Sequence, residues 1–159
     1  MDKLLNLLDK NCRMTNEQLA IMLGITTEEV ERSIAEYERK GIIRGYKAAI
    51  DWDKTDREYV IARIEIRVIP MRDHGFDEIA RTIYSFEEVE TCYLMSGGYD
   101  LAVTVSGKSF KDVALFVSQK LAPIDAVQST STHFVLKKYK ERGITLEERE
   151  RDMREVPML

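Results

Sequence analysis

The sequence contains little cysteine, histidine or proline: two, two and three residues, respectively, among 159. Cys12 and Cys92 match no zinc or redox spacing, so we expect two reduced, partly buried thiols. His74 and His133 are too few and too far apart for a histidine-based metal site, and neither has an evident catalytic partner. These scarcities predict a protein without a metal or another cofactor.

Long apolar runs are also missing. None exceeds five residues, the length of Leu19–Leu23, against the roughly 20 that cross a bilayer. The first residues mix leucine pairs with charged residues, which is not a secretory signal. With 44% apolar residues and a net charge of −4, the composition is that of a globular protein, and we expect it in the cytoplasm without a membrane partner.

The chain divides at a polar stretch. Seven of the eight residues from Asp51 to Glu58 are polar, and the 50 residues before it carry eight acidic and eight basic groups. We therefore expect a first domain at 1–50, a linker at 51–58, a second domain at 59–140 and a charged tail at 141–159.

The first domain has the pattern of three short helices. A leucine stripe ends near Asn11, a second helix at 16–23 lies between a Thr15 N-cap and Gly24, and a third runs from Thr26 or Thr27 to Lys40 and Gly41. Capping threonines and terminal glycines are the expected boundaries. Residues 42–44 and 46–50, on either side of Gly45, are predicted to form two short strands of a wing.

Three residues in this part have helix-turn-helix spacing. Ala20 permits close helix approach, Gly24 permits the sharp turn, and Val30 fills the gap between the helices. Such an arrangement holds the second helix out so that its first side chains can enter a major groove. The predicted DNA-binding residues on that helix and around it are Arg13, Asn16, Thr26, Thr27, Glu28, Glu29, Arg32, Ser33, Glu36, Arg44 and Lys47.

The acidic character of this helix leaves an alternative open. Its glutamates outnumber its basic residues, which opposes binding to a polyanion. Winged-helix modules that bind proteins also exist. Several copies of this first domain (the DNA-binding head), each binding weakly, could still bind DNA together, because linking binding modules raises their overall affinity.

The second domain alternates strands and helices. Alternating apolar residues at 60–68 predict a strand, the periodicity from Phe76 to Ile83 a helix, and 89–95 and 101–105 two strands. A second helix from Phe110 to Leu121 and a final strand at 127–139 complete a β-α-β-β-α-β order. The fold class is therefore α+β, a winged helix-turn-helix domain followed by a ferredoxin-like sandwich. The sheet face opposite the helices would be free to pair with another sheet.

Several of these segments resemble one family. The stretches Leu4–Arg13, Leu19-Ala20, Leu23-Gly24-Ile25, Gly41–Tyr46 and Gly97-x-Tyr99-Asp100-Leu101 are similar to the Lrp/AsnC transcription regulators, over about residues 3–140. The resemblance implies double-stranded DNA as a partner and a homodimer that often assembles further into tetramers or octamers. It also implies regulation by an amino acid or a related small molecule.

The loop between the two middle strands suits such an effector. Gly97 and Gly98 allow close backbone approach, and Asp100 could pair with an ammonium group. The candidate effector-binding residues are Ser96, Gly97, Gly98, Tyr99, Asp100, Thr130 and Thr132. The other interpretation is a glycine-rich hairpin in which Asp100 satisfies nearby backbone donors.

The tail and two further function classes remain. Thr145-Leu146-Glu147-Glu148 is a capping-box pattern that predicts a short charged helix from Thr145 to about Glu155.

The main alternative function is a metabolite-sensing interaction module whose helix-turn-helix does not bind DNA. Haem-pathway decarboxylases resemble the same family, but with two histidines in the chain we do not expect an enzyme.

Overall fold

A capping side chain starts each of the first three helices. The structure, a computed structural model, describes residues 2–69 and 75–146. Helix α1 (Lys3–Lys10) follows Asp2, α2 (Asn16–Leu23) follows Thr15, and α3 (Thr27–Arg39) follows Thr26. In each case the capping oxygen accepts backbone N–H bonds that the helix itself leaves unpaired. The three predicted helices are confirmed.

Two glycines with positive φ terminate α2 and α3. Gly24 has φ +69° and Gly41 has φ +68°, a region that costs other residues strain. After Gly41 the N–H of Ile42 donates to the carbonyl of Tyr37 at 2.8 Å, which closes the last turn of α3.

These helices bury one apolar cluster between them. Val30 from α3 and Leu19 from α2 are fully buried there, and Ala20 lets the two helices approach closely. Half-buried side chains complete the cluster: Leu7, Met14, Leu23, Ile34, Tyr37 and Ile43. The helix-turn-helix packing expected from the sequence is present.

The two short strands predicted for the wing do not form within the described residues 42–50. A tight two-residue hairpin turn needs positive φ, and Gly45 is not among the residues with positive φ. A lone two-stranded hairpin is also marginal in water. The segment therefore follows α3 without strand pairing.

The second half of the chain forms an antiparallel sheet in the order β2-β3-β1-β4. The strands are β1 (Val60–Val68), β2 (Val89–Leu94), β3 (Leu101–Gly107) and β4 (Val127–Phe134). Helix α4 (Phe76–Tyr84) packs on β2, and α5 (Phe110–Phe116) packs on β1 and β3 and continues as a π-helical turn, Val117–Leu121. This is the predicted β-α-β-β-α-β order.

The core of this part lies between the sheet and its helices. Alternate residues of β1, namely Ala62, Ile64 and Ile66, are buried and meet buried residues of β3 and both helices. The alternation follows from the two-residue period of a strand. Arg63, Glu65 and Arg67 therefore lie on the opposite, open face.

Two predictions near the end of the chain are wrong. The final strand ends at Phe134, which pairs with Ala62, rather than at Tyr139. The Val135 N–H still donates to the Ile61 carbonyl at 2.9 Å, but residues 137–139 lie beyond Val60, the first residue of β1, and have no partner there. Thr145 does not start a helix: it lies in β6 (Ile144–Thr145), which pairs with β5 (Lys140–Glu141). Arg142 and Gly143 both have positive φ, as the connecting turn requires. The remainder of the predicted tail helix lies outside the described residues, as does His74.

The polar stretch before β1 has structure of its own. Trp52–Lys54 form a 3₁₀ turn, and the Arg57 guanidinium lies 4.4 Å from the Trp52 ring centre and 5.1 Å from that of Tyr59. The chain forms two compact units, Met1–Ala48 and Ala49–Leu159, so this stretch groups with the second. Across residues 2–69 and 75–146, no helix combines the length and the apolar character that a membrane span needs.

Candidate nucleic-acid interface and ligand loop

The outer face of α3 is defined by its buried stripe. Val30 is fully buried, and Ile34 and Tyr37 are half-buried against α1 and α2. At 100° per residue, the positions opposite that stripe are exposed. They are Glu28, Arg32, Ala35 and Arg39. The sequence prediction included Glu28 and Arg32 and missed Arg39, which lies seven residues, about two turns, beyond Arg32 and could have been found by that spacing.

Two predicted contact residues form the cap of α3. The Thr26 hydroxyl accepts from the Glu29 N–H at 3.2 Å, and the Glu29 carboxylate accepts from the Thr26 N–H at 2.9 Å. This reciprocal pair is a capping box. Thr26 and Glu29 therefore fix where α3 begins, and Thr27 beside them is half-buried.

Ser33 and Glu36 also have partners within α3 or at its end. The Ser33 hydroxyl donates to the Glu29 carbonyl at 2.8 Å, and Glu36 forms an ion pair with Lys40 at 2.6 Å. The Lys40 ammonium lowers the pKa of Glu36 below its ordinary value. These contacts stabilise the helix, and they are the contacts that the structure gives to the Ser33 and Glu36 side chains.

Asn16 links the two helices of the motif. Its side-chain amide donates to the Glu31 carboxylate at 3.3 Å. Farther along α3, the Tyr46 hydroxyl donates to Glu38 at 3.1 Å. The structure thus ties the start of α2, and the chain after α3, to two glutamates of α3.

The three cations predicted to contact phosphates, Arg13, Arg44 and Lys47, are exposed. Arg13 lies in the turn before α2, where its N–H donates to the Asn11 side chain at 3.0 Å. Arg44 lies against Gly41, and a Cβ placed there would come within 2.9 Å of its guanidinium carbon. The bare backbone of Gly41 thus leaves room for that cation.

The Ser96–Asp100 loop is fastened to β1 by two side chains. The Asp100 carboxylate accepts from the Val68 N–H at 2.9 Å, and Arg67 Nε donates to the Gly98 carbonyl at 2.9 Å. The Asp100 N–H donates in turn to the Ile66 carbonyl at 3.0 Å. Asp100 therefore serves backbone donors, as the hairpin interpretation expects, and its carboxylate still has further acceptor positions.

The two glycines of the loop are open to their surroundings. Gly97 has φ +153°, and a Cβ on Gly97 or Gly98 would meet no described atom within 4 Å. Ser96 is exposed and Tyr99 half-buried beside them. A ligand could reach this backbone without displacing a side chain.

Thr130 and Thr132 do not share the loop's surroundings. They pair with Ile66 and Ile64, whose side chains are buried beneath the helices, so both threonines lie on the covered face of β4. β1 separates them from β3 and its loop, a distance of two strand spacings or roughly 10 Å.

The open face of the sheet is polar from Arg63 to Arg67 of β1 and from Ser129 to His133 of β4. His133 Nε2 lies 3.8 Å from the Glu65 carboxylate and 3.2 Å from the Ser131 hydroxyl. Arg63 pairs with His133 in register, and Arg67 pairs with Ser129. A polar face of this kind can be exposed to solvent or can form a polar interface with a second sheet.

Both cysteines are free thiols. Cys12 is exposed, so the expectation of a partly buried thiol is wrong there. Cys92 is half-buried against the sheet core, as expected, and burial raises the pKa of its thiol. Within the part of the chain that the structure describes, no group of three or more histidine, cysteine, aspartate or glutamate residues is placed to hold a metal ion.

Comparison with known proteins follows the division of the chain. A family model described as the Lrp/AsnC ligand binding domain matches residues 61–145, and one described as winged helix-turn-helix DNA-binding matches residues 3–44. The HTH-type transcriptional regulator YugG of Bacillus subtilis, itself uncharacterized, is 49% identical over 155 residues, covering 97% of this chain and 93% of YugG.

Solved structures share the fold. AsnC of E. coli has a TM-score of 0.68 at 24% identity, covering 91% of this chain and 97% of that one. A transcriptional regulator from Neisseria meningitidis, solved as an L-Met complex, has a TM-score of 0.71 at 24% identity and covers 89% of this chain and 93% of that one.

Proposed function

The chain belongs to the Lrp/AsnC family of transcription regulators, and from that premise we propose that α3 is the helix that enters the major groove of its operator. One observation carries this proposal. The face of α3 opposite the buried Val30 stripe is exposed, and a capping box fixes where that face begins. A recognition helix reads bases with its first turns, so a fixed start sets which side chains reach them.

Cations around α3 would position the head on the duplex. Arg13, Arg44 and Lys47 are exposed in the same unit, and we assign them to phosphates. Asn16 already donates to Glu31, so its contribution would be to hold α2 against α3 rather than to bind phosphate strongly.

The two DNA-binding heads of a homodimer would offset the weak electrostatic attraction of each head for DNA. α3 and its cap contain five glutamates against Arg32, Arg39 and Lys40, so a single head should bind DNA weakly. We propose a homodimer formed through the open sheet face, whose serines, charged residues and His133 offer hydrogen bonds to a second copy. Binding through two linked heads raises overall affinity. Assembly into tetramers or octamers would add further heads.

The loop at Ser96–Asp100 is the proposed effector site. Its open Gly97 and Gly98 backbone can serve a carboxylate, and the Asp100 carboxylate, fixed by the Val68 N–H, can accept from an ammonium group. An α-amino acid carries both groups. L-Met, present in the Neisseria meningitidis structure, is the first probe to use.

Titration with salt tests DNA binding. Fluorescence anisotropy with a duplex from the region upstream of this gene should give a slope of log K against log salt near −7 if a dimer contacts about eight phosphates. Arg44→Ala and Lys47→Ala should each make this slope shallower by about one for every phosphate that the missing cation would have neutralised. Lys108→Ala, an exposed cation of the second unit, is the matched control and should leave the slope unchanged.

A second function competes with this one. The net acidic charge of α3 favours a metabolite-sensing interaction module in which the helix-turn-helix does not bind DNA. A protein that fails to shift the duplex even at low salt, yet responds to amino acids in a thermal-shift assay, would have that function instead.

A further inference from the structure

Four of the five glutamates in α3 have the structural contacts described above. Glu29 closes the capping box, Glu31 accepts from Asn16, Glu36 pairs with Lys40, and Glu38 accepts from Tyr46. Those carboxylates belong to the architecture of the first unit. The fifth, Glu28, bonds within the first turn of α3, to its own N–H and the Thr26 hydroxyl, and remains exposed on the outer face of the helix.

Glu28 lies at the position where a recognition helix meets bases. It is the second residue of α3 and is exposed on the face opposite Val30. Hydrogen bonds from its own N–H and from the Thr26 hydroxyl, together with the Arg32 charge, hold the pKa of its carboxyl below the ordinary value. At neutral pH it is therefore ionised, and an ionised carboxylate only accepts hydrogen bonds.

The base edges in the major groove differ in what they offer such a group. Guanine presents two acceptors and thymine presents an acceptor and a methyl group, so both repel a carboxylate. Adenine has one donor next to an acceptor. Cytosine presents its N4 amino donor and is the base that suits a carboxylate best.

Arg32 lies on the same face, one helical turn after Glu28. Four residues of helix span about 6 Å, and base pairs are stacked about 3.4 Å apart. A guanidinium donates two parallel hydrogen bonds to guanine, which is the commonest specific contact of arginine. The two side chains therefore reach positions within about two base-pair steps of each other.

We propose that the operator half-site of this protein contains a cytosine read by Glu28 and a guanine read by Arg32, within about two base-pair steps. The inference rests on the proposed function of α3 and specifies its DNA target. It also gives the acidic residue a use: Glu28 selects among sequences while the surrounding cations supply general attraction.

Selection from a randomised duplex library, followed by sequencing, tests the proposal on the full-length protein. The variants are Glu28→Gln, Glu28→Ala and Arg32→Ala. Glu38→Gln is the matched control, because it removes the same charge from the same helix and keeps an acceptor for Tyr46. Circular dichroism of each variant checks that the helices are retained.

The wild type should enrich one cytosine and one guanine about tenfold over other bases at those positions. Glu28→Gln should change the cytosine to adenine, because glutamine pairs with the adenine edge. Glu28→Ala should remove the cytosine preference and Arg32→Ala the guanine preference, while Glu38→Gln keeps both.

The failures are distinguishable. If the wild type enriches a sequence and all three variants enrich the same one, the assignment of Glu28 and Arg32 is overturned and the proposed function stands. If the wild type enriches nothing and does not shift duplex DNA at low salt, both the DNA-binding proposal and this one are overturned.

Discussion

The phenol of Tyr37 in α3 donates a hydrogen bond to the carboxylate of Asp2, the residue that caps α1. The other oxygen of the same carboxylate accepts from the Leu4 N–H at 2.9 Å. One side chain thus joins the start of the first helix to the helix assigned to DNA.

Tyr37→Phe should lower the stability of the first unit by about 0.5 to 1 kcal/mol, because the bond is single and largely exposed. The bond lowers the pKa of Asp2 and raises that of Tyr37. The Asp2 contribution is therefore present above about pH 4 and is lost as the pH falls through its lowered folded-state value. The Tyr37 contribution is present below about pH 10 and is lost as the pH rises through its raised value.

Urea unfolding followed by circular dichroism from about pH 2 to about pH 12 would measure this difference. Tyr84→Phe, an exposed tyrosine of α4, is the control. Superimposable pH profiles for the wild type and Tyr37→Phe would show that the bond does not contribute.

Two neighbouring positions of α2 should respond very differently to truncation. Leu19 is fully buried, whereas Ile21 is 82% exposed. Leu19→Ala should destabilise the first unit by about 2 to 5 kcal/mol and abolish the DNA shift, since it leaves a cavity under α3. Ile21→Ala should stay within about 0.5 kcal/mol. Thermal unfolding measures both, and equal effects would contradict the packing described for α2.

Gly24 and Gly45 form a second matched pair. Both have room for a Cβ, but only Gly24 has positive φ, at +69°. Gly24→Ala should therefore cost about 1 to 2 kcal/mol in strain alone. Gly45→Ala should be neutral or slightly stabilising, by up to about 1 kcal/mol, because alanine restricts the unfolded chain. Urea midpoints of the two variants check this, and a costly Gly45→Ala would indicate a wing turn that the structure does not have.

Substitutions at Asp100 separate its two proposed roles. Asp100→Ala leaves the part-buried Val68 N–H without its acceptor and should destabilise the second unit by about 1 to 3 kcal/mol. Asp100→Asn keeps an acceptor and should be nearly as stable as the wild type, but it lacks the charge that pairs with an ammonium group. A thermal-shift panel of amino acids should therefore stabilise the wild type and not Asp100→Asn.

An amino-acid response that persists in Asp100→Asn would assign Asp100 to the hairpin alone. Thr104→Ala, on the open face of β3, is a control for nonspecific effects of substitution on the sheet.

Sequence patterns predict the helix ends because caps are local. Thr15, Thr26, Gly24 and Gly41 act on bonds within their own turns, so the spacing of residue types is enough. Strands depend on partners elsewhere in the chain. The apolar pattern after Phe134 predicts a strand that continues to Tyr139, yet residues 137–139 lie beyond Val60, the first residue of β1, and have no partner there.

The sequence predicts which residues of the candidate site are exposed but not which partners their side chains contact. Sequence spacing identifies the exposed face of α3, but Thr26, Glu29, Ser33 and Glu36 have bonding partners within their own helix or at its end. Similarly, strand alternation can place Thr130 on one face of β4, but the choice of face depends on its pairing with Ile66.

The contact between Gly41 and Arg44 links stereochemistry to electrostatics. Because Gly41 has no Cβ, the Arg44 guanidinium can pack directly against its backbone. A methyl group at 41 would push that guanidinium outward and also strain the backbone. The location of one positive charge on the head is thus decided by the smallest possible side chain, two residues beyond the last turn of a helix.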